Sequence, residues 1–221
     1  MTRLATSWLV YRLTDSAFLL GLVAFVGQAP SILLPPLAGV WLDRFDRHRV
    51  LVITQVLSML QSLALAALVL SDTVTMPWVI VLTVFQGVVN AVEIPTRQAS
   101  VVRMIDDRAD LSNALALNSS NFNAARLVGP AIAGPVVAAI GEGYCFLIDG
   151  LSYIAVIWGL LSMQLKPEPR TTERRDVWHE LRDGWQYIVA STPIRTLLVF
   201  LAAIGMLSAP YSTLTPILAG R

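Results

Sequence analysis

Long stretches without any charged residue are the feature that most limits how this chain can fold. No Asp, Glu, Lys or Arg occurs in the 27 residues between Asp15 and Asp43, or in the 25 residues between Arg195 and Arg221. About 20 apolar residues in a helix cross a bilayer core of roughly 30 Å. The sequence therefore predicts an all-α polytopic membrane protein with spans near 16–41, 50–70, 74–94, 111–140, 144–164 and 195–218.

The composition argues against several other classes of protein. A net charge of +1 does not supply the basic face that binding of nucleic acid requires. The single cysteine, Cys145, cannot form an internal disulfide or a thiolate metal cluster, and His48 and His179 lack the spacing of a zinc site. No nucleophile-elbow, zinc-protease or phosphate-loop motif occurs. We therefore expect no enzyme activity, no bound metal and no cofactor.

The connectors between the predicted spans alternate in charge. Lysine and arginine concentrate in 43–49, 95–110 and 166–182, whereas 71–77 and 141–144 contain none. By the positive-inside rule, the basic connectors are cytoplasmic and the others external, which indicates a multi-pass protein of the bacterial plasma membrane. Residue 15 is then external. The short apolar run Leu4–Leu13 is accordingly expected to be the outer end of an incomplete first span, in a chain that is truncated at both ends.

The first basic connector, GVWLDRFDRHR from Gly39 to Arg49, is the strongest motif. Gly39 allows the end of the helix to pack closely, and Asp43 places a carboxylate at the membrane face. Planar guanidinium groups, each with paired hydrogen-bond donors, are added by Arg44, Arg47 and Arg49. From the residues alone, a simple positively charged stop to the preceding span explains the string equally well.

This connector resembles the loop signature between the second and third helices of the major facilitator superfamily, G-x-L-x-D-R-x-G-R-[RK]-[RK]. The sequence departs from the signature at Trp41, Asp46 and His48. The strings SWLVYRLTDSAFLLGLV, EIPTRQASVV and LSNALALNSSNFNAARLVGPAIAG resemble the branch of drug and siderophore exporters related to the enterobactin exporter. Because that family has twelve helices, the resemblance implies that this chain covers the first half and a little more.

The resemblance also implies the domain organisation and a role for the first connector. The amino-terminal six-helix bundle would occupy 1–165, a cytoplasmic linker 166–194, and helix seven of the second bundle 195–221. The linker has the periodicity of an amphipathic helix at the membrane interface, although a helix in a soluble loop fits the same pattern. In the family, the Asp of the loop signature bonds across the cytoplasmic surface, so Asp43 would be the gating carboxylate, supported by Arg44 and Arg47.

The fifth span contains a charge in its middle, Arg126. A charged side chain inside a span costs several kcal/mol unless it is paired or hydrated, which makes Arg126 a functional candidate. Asn123 and Arg126 share one helix face with Ser119 and Pro130, and this face is expected to line the central cavity. The alternative is a structural arginine that extends toward the interface or joins helix ends.

The string GPAIAGP follows in the same span. It resembles the antiporter signature of exporters, G-x(8)-G-x(3)-G-P-x-x-G-G, which Gly129, Pro130 and Gly134 match, while alanine replaces three other glycines. Together with Pro135, these residues predict a kinked, closely packed helix, which as a bare pattern is explained by packing alone.

Three further charged residues are candidates for the cavity or for ion coupling. Glu93 and Arg97 flank Pro95 near the cytoplasmic end of the fourth span, where they could form a local ion pair or a pair at the cavity mouth. Asp149 lies a few residues inside the sixth span from the external side. It could bind and release a proton as the cavity alternates, or it could lie among hydrated lipid headgroups.

The sequence therefore predicts proton-coupled efflux of a drug-like or siderophore-like small molecule by alternating access. Its partners would be that substrate, protons and the lipid bilayer. The alternative is a membrane fragment that cannot transport alone, or a half-transporter that needs a second copy or a second half.

Overall fold

The computed structural model describes residues 2–35, 45–103, 110–163, 191, 195–197 and 200. In this described part the regular structure is helical and contains no strand. The six helices are α1 (Thr2–Thr14), α2 (Ala17–Leu33), α3 (Arg47–Leu70), α4 (Met76–Arg103), α5 (Leu111–Ile140) and α6 (Glu142–Ser162). The all-α membrane architecture predicted from the charge distribution is confirmed.

The chain divides into two compact units, one up to Thr171 and one from Thr172. The six helices belong to the first unit. In the second unit, residues 195–197 and 200 are helical, and the Arg195 N–H donates to the Ser191 carbonyl at 3.0 Å. The predicted interfacial helix and most of the predicted helix seven lie outside the described residues, as do Gly39, Asp43 and Arg44.

Four of the described helices, α3 to α6, are long and apolar enough to cross a membrane, and α2 is a shorter apolar helix. Local side chains determine where two of them begin. Ser16 caps α2 by accepting from the Leu19 N–H at 3.4 Å, and Asp46 caps α3 by accepting from the His48 N–H at 2.9 Å. Such caps satisfy backbone donors that have no partner within the helix.

The fourth helix extends beyond its predicted end. The sequence indicated a span near 74–94 and placed Arg97 in the connector 95–110. Instead α4 continues through Pro95 to Arg103, so Arg97 lies on a helix rather than in a loop. The Thr96 hydroxyl donates to the Val92 carbonyl at 2.6 Å, and the Ser100 hydroxyl donates to the Thr96 carbonyl at 2.8 Å. Both are bonds to a carbonyl one turn back in the same helix.

The interior of the first unit is partly polar. Helix α3 buries Thr54, Gln55, Ser58, Gln61 and Ser62, while its apolar Ile53 and Leu60 are more than half exposed. In water this arrangement would be costly, but lipid is as apolar as leucine, so a membrane helix gains by turning hydrogen-bonding side chains toward other helices. The burial pattern is thus that of a membrane bundle.

Close contacts determine which helix ends share a membrane side. Arg12 in α1 forms an ion pair with the buried Glu142 at the start of α6, at 2.6 Å between Nη2 and Oε1. Gly143 packs on Leu70 at the end of α3. At the other end of the bundle, His48 Nε2 bonds to the Leu160 carbonyl at 2.7 Å. The turns that the charge pattern assigns to the external side therefore lie together.

Helices α2 and α4 run parallel and approach each other through glycines. A Cβ placed on Gly87 would overlap the Gly27 carbonyl oxygen, and one placed on Gly27 would lie 2.5 Å from the Thr83 Cγ2. The Ser31 hydroxyl donates to the Gly87 carbonyl at 3.0 Å, one turn further along. Only glycine fits at Gly87, because the obstructing group is backbone that cannot rotate away.

The glycine contact predicts that Gly87→Ala lowers stability by about 1–3 kcal/mol, the usual cost of overpacking, despite the higher helix propensity of alanine. The matched control is Gly159→Ala, since no atom lies within 4 Å of a Cβ built there. Thermal unfolding can be followed with a dye that fluoresces on reaction with the buried thiol of Cys145. Equal melting temperatures for the two variants would contradict the contact.

Candidate functional site

Asp149 lies where three helices of the first unit meet. Its Oδ2 accepts hydrogen bonds from the Thr2 hydroxyl of α1 at 2.6 Å and from the Ser62 hydroxyl of α3 at 3.1 Å. The Ser62 hydroxyl also contacts the Phe146 carbonyl at 3.0 Å. The carboxylate is thus held by protein donors rather than facing only water, and the contact joins α1 and α3 to α6.

Further polar side chains extend from Asp149 toward α4. Tyr153, one turn along α6, lies within electrostatic range of Asp149 and Glu93 and near Ser58 of α3. The Gln86 amide donates to the Ser58 hydroxyl at 3.0 Å and to Asn90 Oδ1 at 3.1 Å. We call Ser58, Ser62, Gln86, Asn90, Glu93, Asp149 and Tyr153 the polar core.

The polar core groups two of the predicted candidates, Asp149 and Glu93, around one tyrosine. The polar core contains hydroxyl and amide groups that can both donate and accept. Its hydrogen bonds form two sets, Ser62 with Asp149 and Gln86 with Ser58 and Asn90. The Gln86 carbonyl oxygen is buried and has no hydrogen-bond partner in the part of the chain that the structure describes. Such surroundings can stabilise a carboxylate in either protonation state without exposing a bare charge to lipid.

A second group forms between α4 and α5. The guanidinium of Arg97 lies 5.3 Å from the centre of the Phe122 ring, and that of Arg126 lies 5.0 Å from the same centre. Both distances are within the range of a cation–π interaction. We call Arg97, Phe122 and Arg126 the arginine–phenylalanine cluster. Two predicted cavity residues, Arg97 and Arg126, thus meet at one aromatic ring.

The remaining candidates are placed as follows. Asn123 is exposed on α5 beside Phe122. In the gating loop, Arg47 and Arg49 lie in the first turn of α3, and Arg49 Nε is 3.8 Å from Asp46 Oδ2.

Helix α5 continues through Pro130 and Pro135. It buries Ala133 and Val137, whereas a Cβ at Gly134 would meet no atom within 4 Å.

Sequence reasoning missed the partners of these residues. Thr2, Ser62 and Tyr153 around Asp149, and Phe122 between the arginines, carry no motif of their own. A usable signal was the row of polar residues in the third span, where Ser58 and Ser62 are four apart and so share a helix face. Within the described ranges, no group of three His, Cys, Asp or Glu side chains could hold a metal ion.

The comparison with known proteins agrees with this architecture. The family model for transmembrane secretion effectors, a branch of the major facilitator superfamily, matches residues 1–221. The chain belongs to this family. The expected resemblance to the major facilitator superfamily is therefore confirmed, and the two relatives described next are transporters rather than enzymes.

Two curated relatives resemble the chain along nearly its whole length. It is 28% identical over 222 residues to the staphyloferrin A transporter of Staphylococcus aureus, covering 99% of the chain and 55% of the relative. It is 27% identical over 225 residues to the multidrug efflux pump Tap of Mycolicibacterium fortuitum, covering 98% of the chain and 55% of the relative. The chain thus spans about half the length of these relatives. No solved structure gave a significant match.

The hydrogen bonds to Asp149 predict that Ser62→Ala lowers the free energy of unfolding by about 1–3 kcal/mol, because it removes a donor from a charged acceptor. Ser152→Ala is the matched control, since the exposed Ser152 hydroxyl bonds only to a backbone carbonyl of its own helix. Melting of both variants in detergent, read from exposure of Cys145, tests the contact. A Ser62 variant as stable as the Ser152 variant would count against it.

Proposed function

We propose that the protein works as a proton-coupled exporter of small molecules in the bacterial plasma membrane, by alternating access. Its family and the printed names of its two relatives, a siderophore transporter and a multidrug efflux pump, support the transport of small organic molecules. The single observation that carries the coupling is the carboxylate of Asp149, held between α1 and α3 inside a bundle of spanning helices.

Asp149 is suited to exchange protons with the external side. It lies seven residues after the start of α6, about 10 Å along the helix from the end predicted to be external. When ionised, it accepts from both the Thr2 and the Ser62 hydroxyls. When Oδ2 is protonated, it must donate one hydrogen bond itself, so one of these hydroxyls has to turn away or accept. Protonation at Oδ2 therefore changes the contact that joins α1 and α3 to α6.

Glu93 and Tyr153 provide the second part of the proposed proton path. Tyr153 contacts both carboxylates electrostatically, and Glu93 lies on α4 toward the end predicted to be cytoplasmic. A proton that enters at Asp149 could leave through Glu93 when the bundle opens to the cytoplasm. The family's loop signature adds the proposed gate, in which Asp43 acts with Gly39, Arg44, Arg47 and Arg49 at the cytoplasmic surface.

Helix α5 supports a translocation path along its polar face. In the most apolar 18-residue stretch of α5, only 11% is buried, the lowest share among the four candidate spans. Ser119, Asn123 and Arg126 are all exposed. Lipid tails cannot form hydrogen bonds with these groups. This face of α5 therefore needs to lie against either water or another membrane bundle. We therefore place the substrate path beside α5, and the kink motif Gly129, Pro130, Gly134 and Pro135 at its outer end.

The coupling proposal predicts that Asp149→Asn abolishes transport driven by a pH gradient but leaves exchange of substrate across the membrane intact, because the amide cannot bind a proton. Inverted vesicles containing the protein, expressed from its complete reading frame, would be loaded with a compound selected by drug resistance. Asp72→Asn is the matched control, since Asp72 lies in an exposed turn whose left-handed backbone, φ 55°, tolerates asparagine. Transport by the Asp149 variant that still follows the gradient would contradict the proposal.

The exposed polar face of α5 also favours the alternative, in which these 221 residues act only together with a second membrane bundle or a second copy. Chemical crosslinking of the purified chain in lipid nanodiscs separates a dimer from a monomer. This alternative predicts that the isolated monomer shows no exchange of substrate. Exchange by the reconstituted monomer would rule it out.

A further inference from the structure

Two arginines from different helices lie on one aromatic ring, and this is not explained by packing alone. Arg97 belongs to α4 and Arg126 to α5, and both guanidinium carbons lie within 5.3 Å of the centre of the Phe122 ring. They are therefore at most about 10 Å apart. Both helices are long and apolar enough to cross a membrane, and Arg126 lies near the middle of α5, where a charge needs a partner or water.

The cation–π contacts do not balance this charge. Each is worth about 0.5–2 kcal/mol, whereas a guanidinium at the centre of a span, as at Arg126, costs about 2.5 kcal/mol or more, and the two like charges repel each other. In the described part of the chain, no carboxylate oxygen lies within 4.0 Å of either guanidinium, and Glu93, four residues before Arg97, is no exception. No carboxylate among the described residues therefore balances the cluster.

The geometry suits an oxyanion. A guanidinium that rests on a ring keeps its N–H groups at the edges of its plane, where they can donate to carboxylate oxygens in pairs. Two such groups around one ring can hold two carboxylates of one small molecule. The neighbouring Asn123 is exposed beside Phe122 and adds an amide donor. The Phe122 ring, 45% exposed, also offers an apolar surface to the ligand.

We propose that Arg97, Phe122 and Arg126 form the binding site for the carboxylate groups of an organic anion that the protein exports. This inference rests on the proposed function and names the chemical class of its substrate. The site lies in the cytoplasmic half of the bundle according to the predicted sidedness, with Arg126 near the middle of α5 and Arg97 near the inner end of α4. A substrate would thus bind there from the cytoplasm.

The test uses citrate as the probe and the protein, expressed from its complete reading frame, in nanodiscs of phosphatidylcholine. Equilibrium dialysis with radiolabelled citrate measures affinity. We expect saturable binding that the uncharged trimethyl ester of citrate does not displace. Arg97→Gln and Arg126→Gln should each weaken binding about tenfold or more, as expected when a charge-assisted hydrogen bond is lost. Arg195→Gln, a change to an exposed arginine in the second unit, should leave affinity unchanged.

Two further variants separate binding from folding. Arg126→Lys keeps the positive charge but removes the paired, planar N–H donors of the guanidinium. We therefore expect a citrate affinity between those of the wild type and Arg126→Gln. Phe122→Leu removes the shared ring and should weaken citrate binding several-fold. Each variant must elute as a single species and melt like the wild type when Cys145 exposure is followed. Citrate affinity that is the same in wild type, Arg97→Gln and Arg126→Gln would overturn the proposal.

A lipid headgroup is the competing source of an oxyanion. Nanodiscs that contain phosphatidylglycerol address this, because displacement of citrate by that lipid would assign the site to a headgroup and overturn its assignment to substrate. Failure of the two proposals can be told apart. If Asp149→Asn uncouples transport but the arginine variants bind citrate normally, only the proposed anion site is wrong. If citrate binding depends on the arginines but the rate of transport does not depend on the pH gradient, only the proposed coupling is wrong.

Discussion

The requirement that polar groups find partners away from lipid determines most of this structure. Helix α3 turns its serines and glutamines inward while Ile53 and Leu60 face outward, and Asp149 accepts from hydroxyls of two other helices. Hydrophobic burial cannot guide this assembly, since lipid offers the same apolar surroundings. Hydrogen bonds between helices and glycine contacts such as Gly27 with Gly87 therefore specify which helices meet.

The same requirement distinguishes the two candidate sites. In the polar core, neutral hydroxyls and amides surround Asp149 and Glu93, so that a proton can neutralise a carboxylate. In the arginine–phenylalanine cluster no proton can leave, because a guanidinium stays charged in proteins. We propose that its balance comes from an anion, so that the two candidate sites would differ in what they exchange, one a proton and the other an anionic molecule.

Much of the fold could be predicted from the sequence, because charge-free segments and basic connectors follow directly from the cost of charge in lipid. The bounds of α5 match the prediction, 111–140, and single charges marked Asp149, Arg97 and Arg126 as candidates. The partners of those residues could not be predicted. Ser62 and Phe122 are ordinary residues in apolar helices, and only the packing of α3 on α6 and of α4 near α5 gives them a role. The run of α4 past Pro95 could not be predicted either, because periodicity does not distinguish a proline that ends a helix from one inside it.

Helix α1 is fastened to α6 at two points with different chemistry. Near its outer end, Arg12 pairs with the buried Glu142, and at its other end Thr2 donates to Asp149. Thr2 and Arg12 are ten positions apart, about 15 Å along the helix. Under the proposed coupling, a proton arriving at Asp149 would alter only the second attachment. The ion pair would then act as a pivot, and a change of one hydrogen bond would become a rotation of the whole of α1.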